Sequence, residues 1–215
     1  LHFLLSAVLV GVATVLVWRS REPAGPVRPV GGPVAGTWLR RYAWGVVGVT
    51  YVVVYLGTVV TGSGPHAGDE MAVRTGLDPE SVSQLHVDVV FLLLGLTVGL
   101  WLAARAAGSP GRVAGAALVL LGVELAQGVI GFVQYFTGLP IVLVGLHMLG
   151  SMILVVAAVS LLLTTRERVI GDQAQPPTVP PSAENEDVDA DRDKDDGEVR
   201  DRGVEQSHRS QTALR

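Results

Sequence analysis

Five long apolar stretches alternate with short polar ones along this chain, at about residues 1–18, 38–60, 86–104, 113–134 and 141–163. Crossing a bilayer as a helix takes about 20 apolar residues at a rise of about 1.5 Å each, so each stretch predicts a transmembrane helix. The predicted fold class is an all-α membrane protein: a four-helix transmembrane bundle preceded by one extra transmembrane helix and followed by a disordered C-terminal tail. Residues 1–18 do not read as a signal peptide, because no basic segment precedes the apolar run and Arg19 follows it.

The apolar pattern also repeats. Residues 1–22 align without gaps on residues 146–167, with ten of twenty-two positions identical. Leu and Val match by chance between apolar helices. The shared His2 and His147, Ser6 and Ser151, and the closing Arg21-Glu22 and Arg166-Glu167 do not. Duplicated halves are common in membrane proteins. The repeat predicts that residues 1–22 are the last transmembrane helix of a truncated first half, whose earlier helices are missing from this chain. The absence of an initiating Met agrees with a fragment. Residues 23–37, rich in Pro and Gly, predict a cytoplasmic linker, and residues 38–168 a complete four-helix half.

Charge fixes an expected orientation. Arg19, Arg21, Arg28, Arg40 and Arg41 lie between the first two spans, Arg105 and Arg112 between the third and fourth, and Arg166 and Arg168 after the fifth. All fall on one side if the spans alternate, and the positive-inside rule makes that side the cytoplasm. The opposite loop, 61–85, carries Asp69, Glu70, Asp78 and Glu80 against Arg74 alone. Trp38, Tyr42 and Trp44 sit where an inner aromatic belt would be.

Composition then refines the picture. The chain is 49% hydrophobic with mean hydropathy +0.43, as a membrane protein requires. Its net charge of −4 is a property of the tail, since eleven of the twenty Asp and Glu lie beyond residue 183. Residues 169–215 are too polar to bury a core and predict a disordered acidic cytoplasmic tail. No Cys is present, which excludes disulfides, thiolate ligands and thiol nucleophiles within the chain. The Arg residues form no patch, so no nucleic-acid partner is expected.

Candidate chemistry centres on histidines. His86 opens the third span and His147 lies about two turns into the fifth. Both spans run from outside to inside, so the two imidazoles are expected at matched depth near the outer surface. His2 holds the equivalent depth in the first repeat. Histidines inside spans usually face a bundle interior. Two at one level on two helices suit axial ligation of a flat heme lying between them. The small Gly145, Gly150 and Ser151 beside His147 leave room for a porphyrin, and equally permit close helix packing. On the fourth span Glu124, Gln127, Gly128, Gly131 and Gln134 share one face. Glu124, near mid-membrane, reads either as a proton-handling or cofactor-contacting group or as a structural acid. His66, in the Gly-rich outer loop, reads as a ligand, a proton carrier or a propionate contact, or as a solvated side chain.

Four motifs together resemble bacterial heme A synthase. They are Gly57-Thr-Val-Val-Thr-Gly-Ser-Gly-Pro-His-Ala-Gly-Asp69, Leu85-His86-Val-Asp88, Gln127-Gly-Val-Ile-Gly-Phe-Val-Gln-Tyr-Phe-Thr-Gly-Leu-Pro140 and Leu146-His147-Met-Leu-Gly150. The resemblance covers residues 1–168 and falls on the second half of that family. It implies an eight-helix protein of two four-helix halves, each giving a His pair from its second and fourth helices to a heme site. It implies that His86 and His147 are axial ligands of a b-type heme iron. It also implies that His2 belongs to the substrate-heme site of the first half, whose partner His lies outside this chain. The family's outer acidic residue and Cys pair have no counterpart here, Glu124 matches no family catalytic residue, and no catalytic residue is assigned.

The implied function is oxidation of the heme O methyl group to the formyl group of heme A, for terminal oxidase assembly. It proceeds through hydroxylation, twice, with water as the oxygen source, and loss of water from the diol. Heme O would come from heme O synthase, terminal oxidase assembly factors would be partners, and a homo-oligomer stays open. The implied location is the bacterial cell membrane, with loop 61–85 outside. Two other classes compete: a bis-His membrane cytochrome b serving electron transfer only, and a heme-free transporter or assembly scaffold.

Overall fold

A computed structural model describes residues 2–64, 76–109 and 111–168. His66 and the 169–215 tail lie outside the described residues. In chain order the elements are α1 (His2–Ser20), β1 (Val27–Pro29), α2 (Ala35–Ser63), α3 (Pro79–Ala106), α4 (Gly111–Phe136), α5 (Ile141–Thr164) and β2 (Arg166–Arg168). All five helices are long and apolar enough to cross a membrane.

Helix packing follows the small residues. α2 lies against α3, α3 against α4, α4 against α5, and α5 back against α2, which leaves α3 and α5 on opposite corners of the ring. Ala43, Ala104, Ala117 and Ala158 are fully buried where these helices meet, and the absence of bulk lets the backbones approach. Leu93, Leu100, Leu120 and Leu161 fill the space between them. The outward faces stay apolar, with Phe91, Val119, Val129 and Ile153 all exposed, as lipid-facing positions must be.

α1 packs on α5, with a smaller contact to α2. Its buried residues are Ala7 and Gly11. The Tyr51 hydroxyl of α2 donates to the Ala7 carbonyl at 3.3 Å, and a Cβ at Gly11 would overlap that hydroxyl. Gly11 therefore makes the notch in which α1 is held. Leu5, Leu9 and Leu16 on the other side are more than 60% exposed.

Two features depart from the sequence reading. First, α3 starts at Pro79, seven residues before the apolar run. Asp78 caps it, its Oδ2 accepting from the Ser81 amide at 2.9 Å and the Ser81 hydroxyl at 2.7 Å, and Pro79 occupies the first turn, where it needs no amide partner. His86 is thus about two turns inside its helix. Second, the 23–37 segment is not plain linker. β1 pairs antiparallel with β2 in the register Val27 to Arg168 and Pro29 to Arg166, and the Val30 amide donates to the Thr165 carbonyl at 3.0 Å. The segment after α1 is thereby bonded to the segment after α5.

The repeated Arg-Glu pairs meet around this ribbon. Glu22 accepts from Arg168 Nε at 2.9 Å and from Trp18 Nε1 at 2.9 Å. Arg166 Nη2 lies 3.5 Å from Glu22 Oε1, an ion pair without hydrogen-bond geometry. Arg168 Nη1 donates to the Gly25 carbonyl. Glu167 is engaged from α4 by Arg112 at 3.2 Å. Burial would raise the Glu22 pKa, but the Arg168 hydrogen bond, the Arg166 charge and the Trp18 hydrogen bond outweigh it and hold the carboxyl below its ordinary 4.5.

A histidine pair on opposite corners of the helix ring

His86 stands seven residues beyond the first residue of α3, and His147 six residues beyond the first of α5. At about 1.5 Å per residue their depths agree within about 2 Å. Both helices start at the same end of the structure, so the two imidazoles share one level.

Each ring leans on a glycine of a neighbouring helix. A Cβ at Gly57 of α2 would stand 3.4 Å from His86 Cε1, and one at Gly131 of α4 would stand 3.5 Å from His147 Cε1. The Val53 carbonyl also faces His86 from α2. The Nδ1 atoms of both histidines are buried without a hydrogen-bond partner. His86 Nδ1 is on the α2 side of its ring, 3.9 Å from where a Cβ at Gly57 would stand. Two neutral imidazoles on opposite corners can hold one metal from two sides.

The small residues beside His147 take other roles. Gly150 is buried, and a Cβ there would overlap the Gln127 side-chain amide, so its missing side chain makes room for Gln127. Gly145 is exposed with no neighbour within 4 Å of a Cβ. The Ser151 hydroxyl is spent on the Met148 carbonyl at 2.7 Å.

The α4 face points inward as its spacing predicts. Glu124 is 3% exposed, and its Oε1 accepts from the Thr97 hydroxyl of α3 at 2.7 Å. Glu124 Oε2, Gln127 Oε1 and Gln134 Oε1 are buried and unpartnered. Thr97 is the residue that sequence reading passed over. A lone Thr amid Leu and Gly carries no signal until the α3–α4 contact places it on an acid.

Other candidates stand apart. His2 begins α1 and is exposed, its backbone carbonyl accepting from the Ser6 hydroxyl at 3.1 Å. Among the described residues no three His, Asp or Glu side chains converge as a metal site, so His2 does not join the pair. Asp88, in the same motif as His86, is exposed and accepts from Gln84 at 2.9 Å. No family model matches the chain, and neither does any curated protein or solved structure.

Proposed function

We propose that residues 38–168 form the heme-binding half of a heme A synthase-type oxidoreductase, with α1 as the last transmembrane helix of a preceding half. In this reading His86 and His147 ligate the iron of a b-type heme, and His2 belongs to a separate substrate-heme site for heme O. The protein would sit in the bacterial plasma membrane with loop 61–85 outside and the tail inside. It would take heme O from heme O synthase and deliver heme A toward terminal oxidase assembly.

One observation carries the reading. His86 and His147 lie at one depth on opposite corners of the ring. The four motifs and the internal repeat add the family-level argument. Bound heme supplies one-electron redox chemistry. The chain's own residues would orient the imidazoles, through the Gly57 and Gly131 surfaces behind them. They would also exclude water from the inner half through Leu93, Leu100 and Leu120.

The same pair favours a second reading, a cytochrome b that only passes electrons, because two His ligands leave no open position on the iron. The reduced-minus-oxidised absorption spectrum of the purified chain tests both. A low-spin b-type spectrum, lost in His86→Ala and in His147→Ala, is expected. Conversion of added heme O, by a chain joined to a first half, separates enzyme from cytochrome. A folded wild-type chain without heme overturns both.

A further inference from the structure

At the Arg-bearing end of the molecule, α2 and α3 leave a gap. It is a cavity of about 530 Å³ that opens to the surface, within the ~300–1,000 Å³ of small-molecule sites. α2 supplies Trp38, Leu39, Arg41 and Tyr42 to its wall, and the end of α3 supplies Ala103 and Ala107. Large side chains face methyl groups, so the helices cannot close on each other. One turn inward from Ala103, the Tyr42 hydroxyl rests on Gly99, where a Cβ would overlap it, and bridges the two helices.

The gap lies at the depth of a bilayer interface. No charge follows Arg41 in α2, and the remaining stretch to Ser63 is about 33 Å long, close to the ~30 Å of a hydrocarbon core. Exposed Trp38, one turn before Arg41, stands where tryptophans sit at headgroup level. The groove therefore has an apolar floor toward the core and a cation at its outer rim.

That cation is uncompensated. Among the described residues, the acids paired with Arg at this end are Glu22 and Glu167, and they are taken by Arg166, Arg168 and Arg112. Arg41 lies instead over the Trp38 ring, 5.7 Å from its centroid. A guanidinium stacked on an indole keeps N–H groups at its edge for an oxyanion. The cavity wall holds no acid that would accept an ammonium, so a headgroup with net negative charge fits it better than a zwitterionic one.

We propose that this groove binds one anionic phospholipid, with an acyl chain along Leu39, Tyr42 and Ala103 and the headgroup phosphate on Arg41. The site rests on the helices crossing a bilayer and not on what lies between the histidines. Arg105 provides a comparison within the same chain. It lies over Trp101 at 5.7 Å in the same way, but it is no part of the groove wall.

Native mass spectrometry of the full chain in detergent tests the site, by titration with phosphatidylglycerol or with phosphatidylcholine of the same acyl chains. A single phosphatidylglycerol adduct is expected at concentrations that give no phosphatidylcholine adduct. Arg41→Gln should weaken it about fivefold, the weight of one interfacial Arg. Ala103→Leu, which fills the groove, should abolish it, and Arg105→Gln should leave it unchanged. Equal adducts with the two lipids overturn the proposal. So does an equal loss in Arg41→Gln and Arg105→Gln, which would reduce the effect to surface charge. The unaltered chain gives a second measurement that no folding defect can confuse. In phosphatidylcholine vesicles, a small share of bromine-labelled phosphatidylglycerol should quench tryptophan fluorescence more than the same share of bromine-labelled phosphatidylcholine. The excess should vanish in Trp38→Phe, and no excess in the unaltered chain overturns the proposal. A heme spectrum without the lipid adduct counts against the groove alone, and the adduct without heme counts against the heme reading alone.

Discussion

Glu22 accepts a hydrogen bond from Arg168 at 2.9 Å although 146 residues separate them. The contact ties the end of α1 to the strand after α5, and Glu22 is the only acid there that also reaches Arg166 among the described residues. Glu22→Ala would leave two largely buried guanidiniums without their acid. A loss of about 1–3 kcal/mol is expected, read as a lower thermal midpoint in detergent. Arg168→Ala should be non-additive with it, because both changes remove one shared contact. Strict additivity would show that the pair is not coupled.

The same carboxyl gives a pH dependence of known sign. Its pKa is lowered in the folded chain, so its contribution is complete above the ordinary carboxylate range and is lost as pH falls through the lowered value. Asp78 is also held low by Ser81 and adds an acid response of its own. Glu22→Gln should therefore flatten part of the acid destabilisation and leave the Asp78 part. An unchanged stability–pH curve in Glu22→Gln would remove Glu22 from this role.

Gly36 decides whether the ribbon can seat on α2. A Cβ there would overlap the Val30 carbonyl and stand 2.7 Å from Pro29 Cβ, and backbone cannot swing aside. Gly36→Ala should cost about 1–3 kcal/mol as an overpacking change. Gly45, in the same helix, has nothing within 4 Å of a Cβ, so Gly45→Ala should be neutral or slightly stabilising. Equal effects of the two would refute the contact.

Three glycines near the histidines should behave differently. At Gly57 and Gly131 an added methyl meets an imidazole carbon at 3.4 and 3.5 Å, close to ordinary contact. Gly57→Ala and Gly131→Ala should retain any heme spectrum. Gly150→Ala should not be silent, because its methyl occupies the place of the Gln127 amide. It should shift the heme band or reduce heme content, and Gln127→Ala in the same chain should restore it.

The extent to which this molecule is written in its sequence varies by element. The five spans follow from apolar runs, because lipid leaves the backbone no choice but helix. The inward α4 face followed from its three-and-four spacing. The depth match of His86 and His147 was legible too, although the start of α3 was not: its polar first turn is set by the Asp78–Ser81 cap and is invisible to hydropathy. β1 and β2 were illegible. Val27-Arg28-Pro29 and Arg166-Glu167-Arg168 show no alternation, and they pair because two distant helices end side by side. The role of Gly150 was misplaced for a similar reason. A glycine declares room, and only the neighbouring helix says which side chain takes it.

The Gly11 notch and the β1–β2 ribbon fasten α1 at two heights, one near its middle and one beyond its end. A rod held at a single point can roll about its long axis, and one held at two offset points cannot. The row Leu5, Leu9 and Leu16 is therefore a fixed bearing surface. Lipid or protein meeting this helix always meets the same three leucines, in the same order, at the same angle.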